Sequence, residues 1–458
     1  MTQKLELRRL ARDSVYNLIR FGWGLIIGMF ISIILARGLG KEARGIYTLT
    51  VLLPELLVVV LNLGIAPATV FFIGRGDYDP EEVVRKNIGL AFWVSIASIV
   101  AGSVLILLAG NWLFPNVPRH YLLLGLLIIP INLMTTYLIS ILQGLQDFRL
   151  YNLIGIISQM LLLVFAITFV WWLRKGVLGA LLALLGGNFG GLLFLITILK
   201  GKTPLAQLID LRFDLDYTRE VLRYGVKAQM SNFVTFLNYR ADTFILNYLV
   251  GPSQVGIYSI SVGLAERMWI PSNAIATVIL PRIASLKDDE ETRKKITPMT
   301  ARYVLWLSLV MAVFTWLLAN WVIVFLYAEE YHPSALALRL LLPGVVVFNL
   351  TRILANDIAG RGKPEINFYQ SLAALVVNIL ANLILIPIWG AAGASTSSTI
   401  SYSTLAILTL IAYCKITGLP WKEMVFLNQL DLVRIVKTVR LYLSRLTNRQ
   451  KRTPFQSS

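Results

Sequence analysis

Nine residues of this 458-residue chain stand out for chemistry: the cations Arg20, Lys227, Arg267 and Arg352, the amides Asn238 and Asn273, and the acids Glu55, Asp242 and Glu266. All lie in strongly apolar stretches. An Arg or Lys at the centre of a bilayer costs roughly 2.5–3.5 kcal/mol, so such residues face a cavity or a partner. The planar fork of Arg makes paired hydrogen bonds to a phosphate, and Lys adds a point charge. The four cations therefore suit an anionic headgroup, a phosphate or pyrophosphate, with the two amides as hydrogen-bonding neighbours. The three acids could carry protons or bind Na⁺. Static ion pairs between these acids and the arginines are the competing reading, and small polar residues also serve as packing contacts between membrane helices.

The elements that carry these residues follow from composition. The chain is 57% hydrophobic and 15% charged, with a mean hydropathy of +0.69. Soluble proteins are about 45–50% apolar and about 25% charged. The apolar residues come in blocks of about 20–25, each long enough to cross a bilayer core as a helix. A soluble enzyme, a disordered chain and a secreted disulfide scaffold are excluded. The net charge of +17 points to basic loops and anionic lipid headgroups rather than to nucleic acid. One cysteine, Cys414, and two histidines, His120 and His332, leave neither a disulfide nor a His/Cys metal cluster. No Ser/His/Asp set and no P-loop is present, so no catalysis and no cofactor are expected, apart from a coupling H⁺ or Na⁺. The basic stretch Lys4, Arg8, Arg9 and Arg12 precedes an apolar run from Ser14 to Ala36 that is longer than a signal-peptide core; it reads as a retained first span.

The expected fold is an all-α polytopic membrane protein of twelve spans: 14–36, 46–74, 84–109, 120–143, 151–173, 177–199, 221–249, 256–281, 302–327, 334–358, 366–388 and 391–414. Residues 1–199 form an N-terminal six-helix bundle, 200–220 a linker, 221–414 a C-terminal bundle and 415–458 a basic tail. The tail carries Leu432, Val436, Val439 and Leu443 at helical spacing against Arg434, Lys437, Arg440 and Arg445, the pattern of an interfacial helix. Of the lysines and arginines, 29 fall on the side of the N-terminus; Arg37, Lys41, Arg44, Arg119, Arg174 and Lys175 fall opposite. The positive-inside rule then puts both termini in the cytoplasm.

An internal repeat organises the spans. Gly40-Lys-Glu-Ala-Arg-Gly-Ile-Tyr47 and Gly251-Pro-Ser-Gln-Val-Gly-Ile-Tyr258 share G-x4-G-I-Y at an offset of 211 residues. At the same offset Glu55 matches Glu266 and Asn62 matches Asn273. Six spans per half is an even number, so the halves keep one orientation and pair about an axis along the membrane normal, leaving a central cleft where transporters bind substrate. Polar stripes at helical spacing mark the walls, among them Asn17, Arg20, Gly24 and Gly28 in span 1 and Lys227, Ser231, Thr235, Asn238 and Asp242 in span 7. Glu55 and Glu266 lie about ten residues, or ~15 Å, below the outer loops, near mid-membrane. Arg240 is turned about 200° from Asn238 and is left off this wall. Arg267 directly follows Glu266, cannot point the same way, and reaches the cleft wall only through its length.

The stretch Leu35 to Tyr47 resembles the polysaccharide transporters and O-antigen flippases of the multidrug/oligosaccharidyl-lipid/polysaccharide exporter superfamily. Asn62-Leu-Gly-Ile-Ala66, Gln143-Gly-Leu-Gln-Asp-Phe-Arg149, Arg240-Ala-Asp242 and Val250-Gly251 through Tyr258 agree in order and spacing. The resemblance covers the chain to about residue 415. It implies two six-helix bundles in a V, alternating access, and movement of an undecaprenyl-pyrophosphate-linked oligosaccharide to the outer leaflet of a bacterial inner membrane. It further implies that Arg20, Lys227, Arg267 and Arg352 hold the headgroup; from the polar stripes and depth, Asn238 and Asn273 are expected to line the sugar cleft and Glu55, Asp242 and Glu266 to couple ions. The expected partners are the lipid-linked oligosaccharide, membrane lipids, a polysaccharide polymerase and glycosyltransferases, with no nucleic acid. A multidrug cation antiporter of the same superfamily remains the alternative. A major-facilitator permease is disfavoured, because Gly74-Arg-Gly-Asp-Tyr-Asp-Pro-Glu-Glu82 stands where that family's basic loop would be.

Overall fold

The computed structural model describes residues 2–200, 214–270, 290–428 and 431, with side chains omitted for 2–21, 200, 227, 228 and 231. The tail helix, most of the linker, Asn273 and the side chains of Arg20 and Lys227 lie outside the described residues.

Fourteen α-helices make up the described chain: α1 Thr2–Leu61, α2 Ile65–Arg75, α3 Pro80–Leu113, α4 Arg119–Gly125, α5 Ile128–Gly144, α6 Phe148–Ala166, α7 Gly176–Lys200, α8 Leu215–Leu249, α9 Pro252–Glu266, α10 Glu290–Tyr327, α11 Pro333–Gly360, α12 Pro364–Trp389, α13 Ala391–Thr417 and α14 Lys422–Val425. A π-helical turn, Ile167–Trp172, extends α6. Among the described residues, nine helical stretches are long and apolar enough to cross a membrane. Large apolar side chains stand on the outer surface, including Leu108, Phe314 and Trp321. Bilayer hydrocarbon accounts for such a surface, which water would not favour. The protein is an all-α, multi-pass membrane protein.

Helix α1 is two passes in one element. At Gly40 the backbone leaves helical geometry (φ 76°, ψ 169°). The Arg44 guanidinium donates to the Ser32 carbonyl and hydroxyl, both at 3.2 Å. Twelve residues of straight helix span ~18 Å, far beyond the reach of an Arg, so the chain reverses at Gly40. Gly251 has nearly the same conformation (φ 109°, ψ 177°) where α8 turns into α9. A positive φ of this kind is the reason for glycine at both places.

The two halves repeat one packing scheme. In the N-terminal half α1 packs on α6, α2 and α3 on α5, α5 on α7, and α6 on α7. In the C-terminal half α8 packs on α12, α9 and α10 on α11, α11 on α13, and α12 on α13. Each contact has its counterpart one half along, as the 211-residue repeat requires.

Helix α8 begins earlier than the linker boundary of 220. The Asp214 side chain accepts the Tyr217 amide at 2.9 Å, and Asp216 sits in the first turn. A capping acid and a second acid at the positive end of the helix dipole start a helix there.

Candidate functional site

The halves meet along α1, α2, α8 and α9. On the face that charge assigns to the outside, the repeat motifs pack against each other. A Cβ on Gly45 would fall 1.8 Å from the Pro252 carbonyl oxygen, and one on Gly256 would fall 1.8 Å from that of Lys41. Only glycine permits this approach, so the second glycine of each repeat forms the outer seam. Polar contacts reinforce it. Arg37 donates to the Leu326 and Phe325 carbonyls at 2.8 and 2.5 Å. Arg44, buried, also donates to Ser259 at 3.2 Å.

At the opposite face α3 and α8 are clasped. Lys86 pairs with Asp214 at 2.9 Å, the Tyr217 hydroxyl donates to Asn87 at 3.0 Å, and the Tyr78 hydroxyl donates to Glu220. The Tyr217 amide, helped by Lys86, holds the Asp214 carboxyl below its ordinary range. The bond to Glu220 pushes the Tyr78 hydroxyl up to about 12.

Between seam and clasp lie two cavities. The larger, about 590 Å³, is walled by α1, α6 and the end of α9, with Gly24, Gly28, Tyr151, Gln159, Glu266 and Arg267 on its lining. The smaller, about 210 Å³, lies nearer the seam and includes Arg44, Tyr47, Glu55, Arg240, Tyr258 and Glu266. Glu266 and Gly263 belong to both, so they sit where the two spaces meet.

Three arginines and two glutamates thus line the space between the halves. Arg240 pairs with Glu266 at 3.1 Å, both about one-third exposed. Glu55 faces the same smaller cavity from the other half. Arg267 donates to the Gly263 carbonyl and, at 3.1 Å, to the Gly28 carbonyl across the interface. Both acceptors are neutral, and among the described residues Arg267 forms no ion pair. Arg240, set off the wall by its angle on α8, is part of the site. Arg267 and Glu266 line one cavity although adjacent in sequence, because α9 ends at Glu266 and the chain turns there.

Asp242 lies elsewhere. It is buried in the C-terminal half, accepting from the Tyr258 hydroxyl, from Ser398 at 3.0 Å and from the Thr243 amide at 2.6 Å. It lines neither cavity between the halves. Asn238 and Arg352 share a third cavity, whose described lining belongs to the C-terminal half. Sequence reasoning missed Arg44, counted there as an outer-loop charge. Its place in the repeat, between the two glycines that pack the seam, was the available signal.

A family model described as polysaccharide biosynthesis protein matches residues 34–336. The chain belongs to that family. An uncharacterized membrane protein of Methanocaldococcus jannaschii is 24% identical over 89% of this chain and 98% of its own length. A Shigella flexneri protein named as an O-antigen transporter is 23% identical over the same shares. Among solved structures, the lipid II flippase MurJ in an inward closed conformation superposes with a TM-score of 0.72 at 14% identity, over 94% of this chain and 92% of that one. An inward-facing multidrug resistance MATE transporter of the MOP superfamily gives 0.69 at 17% identity, over 86% and 94%. The fold is that of these two transporters, and the expected relation to polysaccharide transporters and O-antigen flippases stands.

Proposed function

We propose that this protein is a flippase that carries undecaprenyl-pyrophosphate-linked oligosaccharide from the cytoplasmic to the outer leaflet of a bacterial inner membrane, with both termini in the cytoplasm. Glycosyltransferases supply its substrate and a polysaccharide polymerase consumes its product. One observation carries this reading: a pair of adjoining cavities between the halves, lined by three arginines against two glutamates. The pyrophosphate binds in the larger cavity at Arg267, with Arg20 and Lys227 as further cations, and the prenyl chain stays in lipid.

The Arg240–Glu266 pair supplies a route to ion coupling. While Glu266 is ionised it holds Arg240. Protonation of Glu266 frees that guanidinium for an incoming phosphate, and return of the proton to water restores the pair. Glu55 is placed to share the proton or a Na⁺. One charge moved through 100 mV is worth about 2.3 kcal/mol, enough to drive a near-neutral exchange between leaflets. Asp242, buried away from these cavities, contributes through the packing of α8 on α9 and α13.

The test is translocation of a fluorescent undecaprenyl-pyrophosphate oligosaccharide in proteoliposomes. The wild type should flip it. Arg267→Ala should lower the rate about tenfold or more, since a charged hydrogen bond is worth roughly 1.5–3 kcal/mol. Glu266→Gln should flatten the pH dependence. A well-folded wild type inactive on several glycans would sink the proposal and favour the cation-antiporter alternative.

A further inference from the structure

The third cavity, about 340 Å³, has its described lining on α8, α11, α12 and α13 of the C-terminal half. Arg352 is the one charged residue among its described lining. Its guanidinium carbon lies 5.1 Å from the Trp269 ring centre and 5.7 Å from that of Phe348. The rings attract the cation but offer its N–H groups no acceptor. Among the described residues its Nη1, buried, has no hydrogen-bond partner, and neither has Oδ1 of Asn367 on the α12 side of the same cavity. No carboxylate among the described residues pairs with Arg352. Arg44, Arg240 and Arg267 each have acceptors. A buried, unmatched guanidinium edge is costly, and a planar anion is the ligand that relieves it.

The rest of the lining is that of a carbohydrate site. Asn356 presents a carboxamide, with donor and acceptor together, and Asn367 presents its Oδ1, while its amide nitrogen donates to the Ala355 carbonyl at 2.8 Å and Gln370 ties α12 to α13 through Leu408 and Thr409. Tyr239 and Tyr402 add ring surface. The volume is at the small end of ligand pockets, about 300–1,000 Å³.

We propose that this pocket recognises an acidic sugar of the transported glycan, a hexuronate or a similar monosaccharide carboxylate. Arg352 pairs with the carboxylate and the carboxamides bind ring hydroxyls. The inference rests on the flippase reading and names its substrate class as an anionic polysaccharide unit. The other source of an anion is the lipid pyrophosphate, beside which sequence reasoning set Arg352. That group carries a prenyl chain and needs access to lipid. A pocket whose described lining comes from one half alone, apart from the two cavities between the halves, suits the sugar.

Binding to the full chain in nanodiscs, measured by calorimetry, separates the possibilities. Sodium D-glucuronate should bind about tenfold or more tightly than D-glucose, the worth of one charged hydrogen bond. Arg352→Gln should erase that difference, and Arg267→Gln should leave it. Inorganic pyrophosphate should respond to Arg267→Gln alone. If Arg352→Gln fails to fold, the double variant Asn356→Ala with Asn367→Ala should weaken both sugars in parallel, and unchanged binding of both would overturn the proposal. Equal binding of glucuronate and glucose, persistence of the difference in Arg352→Gln, or competition between pyrophosphate and glucuronate would each overturn the proposal. The measurement needs no transport. Discrimination at Arg352 in a protein that flips no lipid-linked glycan would fault the flippase reading and keep the pocket. Transport without discrimination would do the reverse.

Discussion

Gly45→Ala should push the two halves apart at the outer face. The new Cβ would lie 1.8 Å from the Pro252 carbonyl oxygen, whereas real Cβ contacts are essentially never under 3.0 Å. The obstacle is backbone, so no side-chain rotation relieves it. The halves must separate by about 1.2 Å, the difference between those two distances. Overpacking of a tight contact costs about 1–3 kcal/mol. Charged against the outer-closed state alone, that shifts its balance with an outer-open state by about 5–150-fold. Gly256→Ala meets the Lys41 carbonyl at the same distance and should act alike. Since one parting of the seam relieves both clashes, the double variant should cost less than the sum of the singles.

A distance distribution reads this directly. Cys414 is the one cysteine and can be replaced by serine. Spin labels at Lys175 and His332, both exposed, then report on the outer side of each half. In the wild type a short separation should dominate. In either glycine variant a longer one should grow, and flipping should slow because the cycle must pass through outer closure. Gly74→Ala is the control, as nothing lies within 4 Å of the position its Cβ would take. An unchanged distribution in folded Gly45→Ala and Gly256→Ala protein would refute the seam as the contact that closes the outer face.

Two further outcomes follow from the charge networks. Asp357, fully buried, accepts from Arg293 at 2.5 Å and Arg361 at 2.9 Å. Asp357→Asn leaves the buried Arg293 without its anion and Arg361 with Glu290 alone, so it should destabilise the C-terminal half by about 3–5 kcal/mol, seen as a lower melting temperature in nanodiscs. The Asp214 carboxyl is held below its ordinary range in the folded protein. The clasp therefore adds stability above that range and loses it as pH falls through the lowered value. Melting temperature should drop on acidification, and Asp214→Asn should remove that part of the drop; an equal drop in the variant would refute the assignment.

Much of the fold is legible in the sequence because a bilayer imposes simple rules. Hydrocarbon demands apolar helices of a set length, and all twelve expected segments are helical over most of their described residues. The 211-residue repeat reappears as two halves with matching packing and as a pair of glycines, Gly40 and Gly251, in nearly the same backbone conformation. The meeting of Gly45 with Gly256 was not legible. A repeat shows that two motifs are equivalent, and says nothing of whether they touch.

For the site, residue type and depth sufficed to single out Glu55, Glu266 and Arg267. Their company was decided elsewhere. Helical periodicity ranks residues around one axis, but the rotation of that axis against its neighbours is set by packing across the whole interface. Arg240 was therefore placed off the cleft by its angle to Asn238, while the turn of α8 against α9 brings it to Glu266. The same angle put Asp242 on the cleft stripe, and packing buries it with Tyr258 and Ser398. A charge inside a membrane announces from sequence that it needs a partner. Only the tertiary structure decides whether that partner is a carboxylate, as for Arg240, a set of neutral acceptors, as for Arg267, or a ligand still to come, as for Arg352.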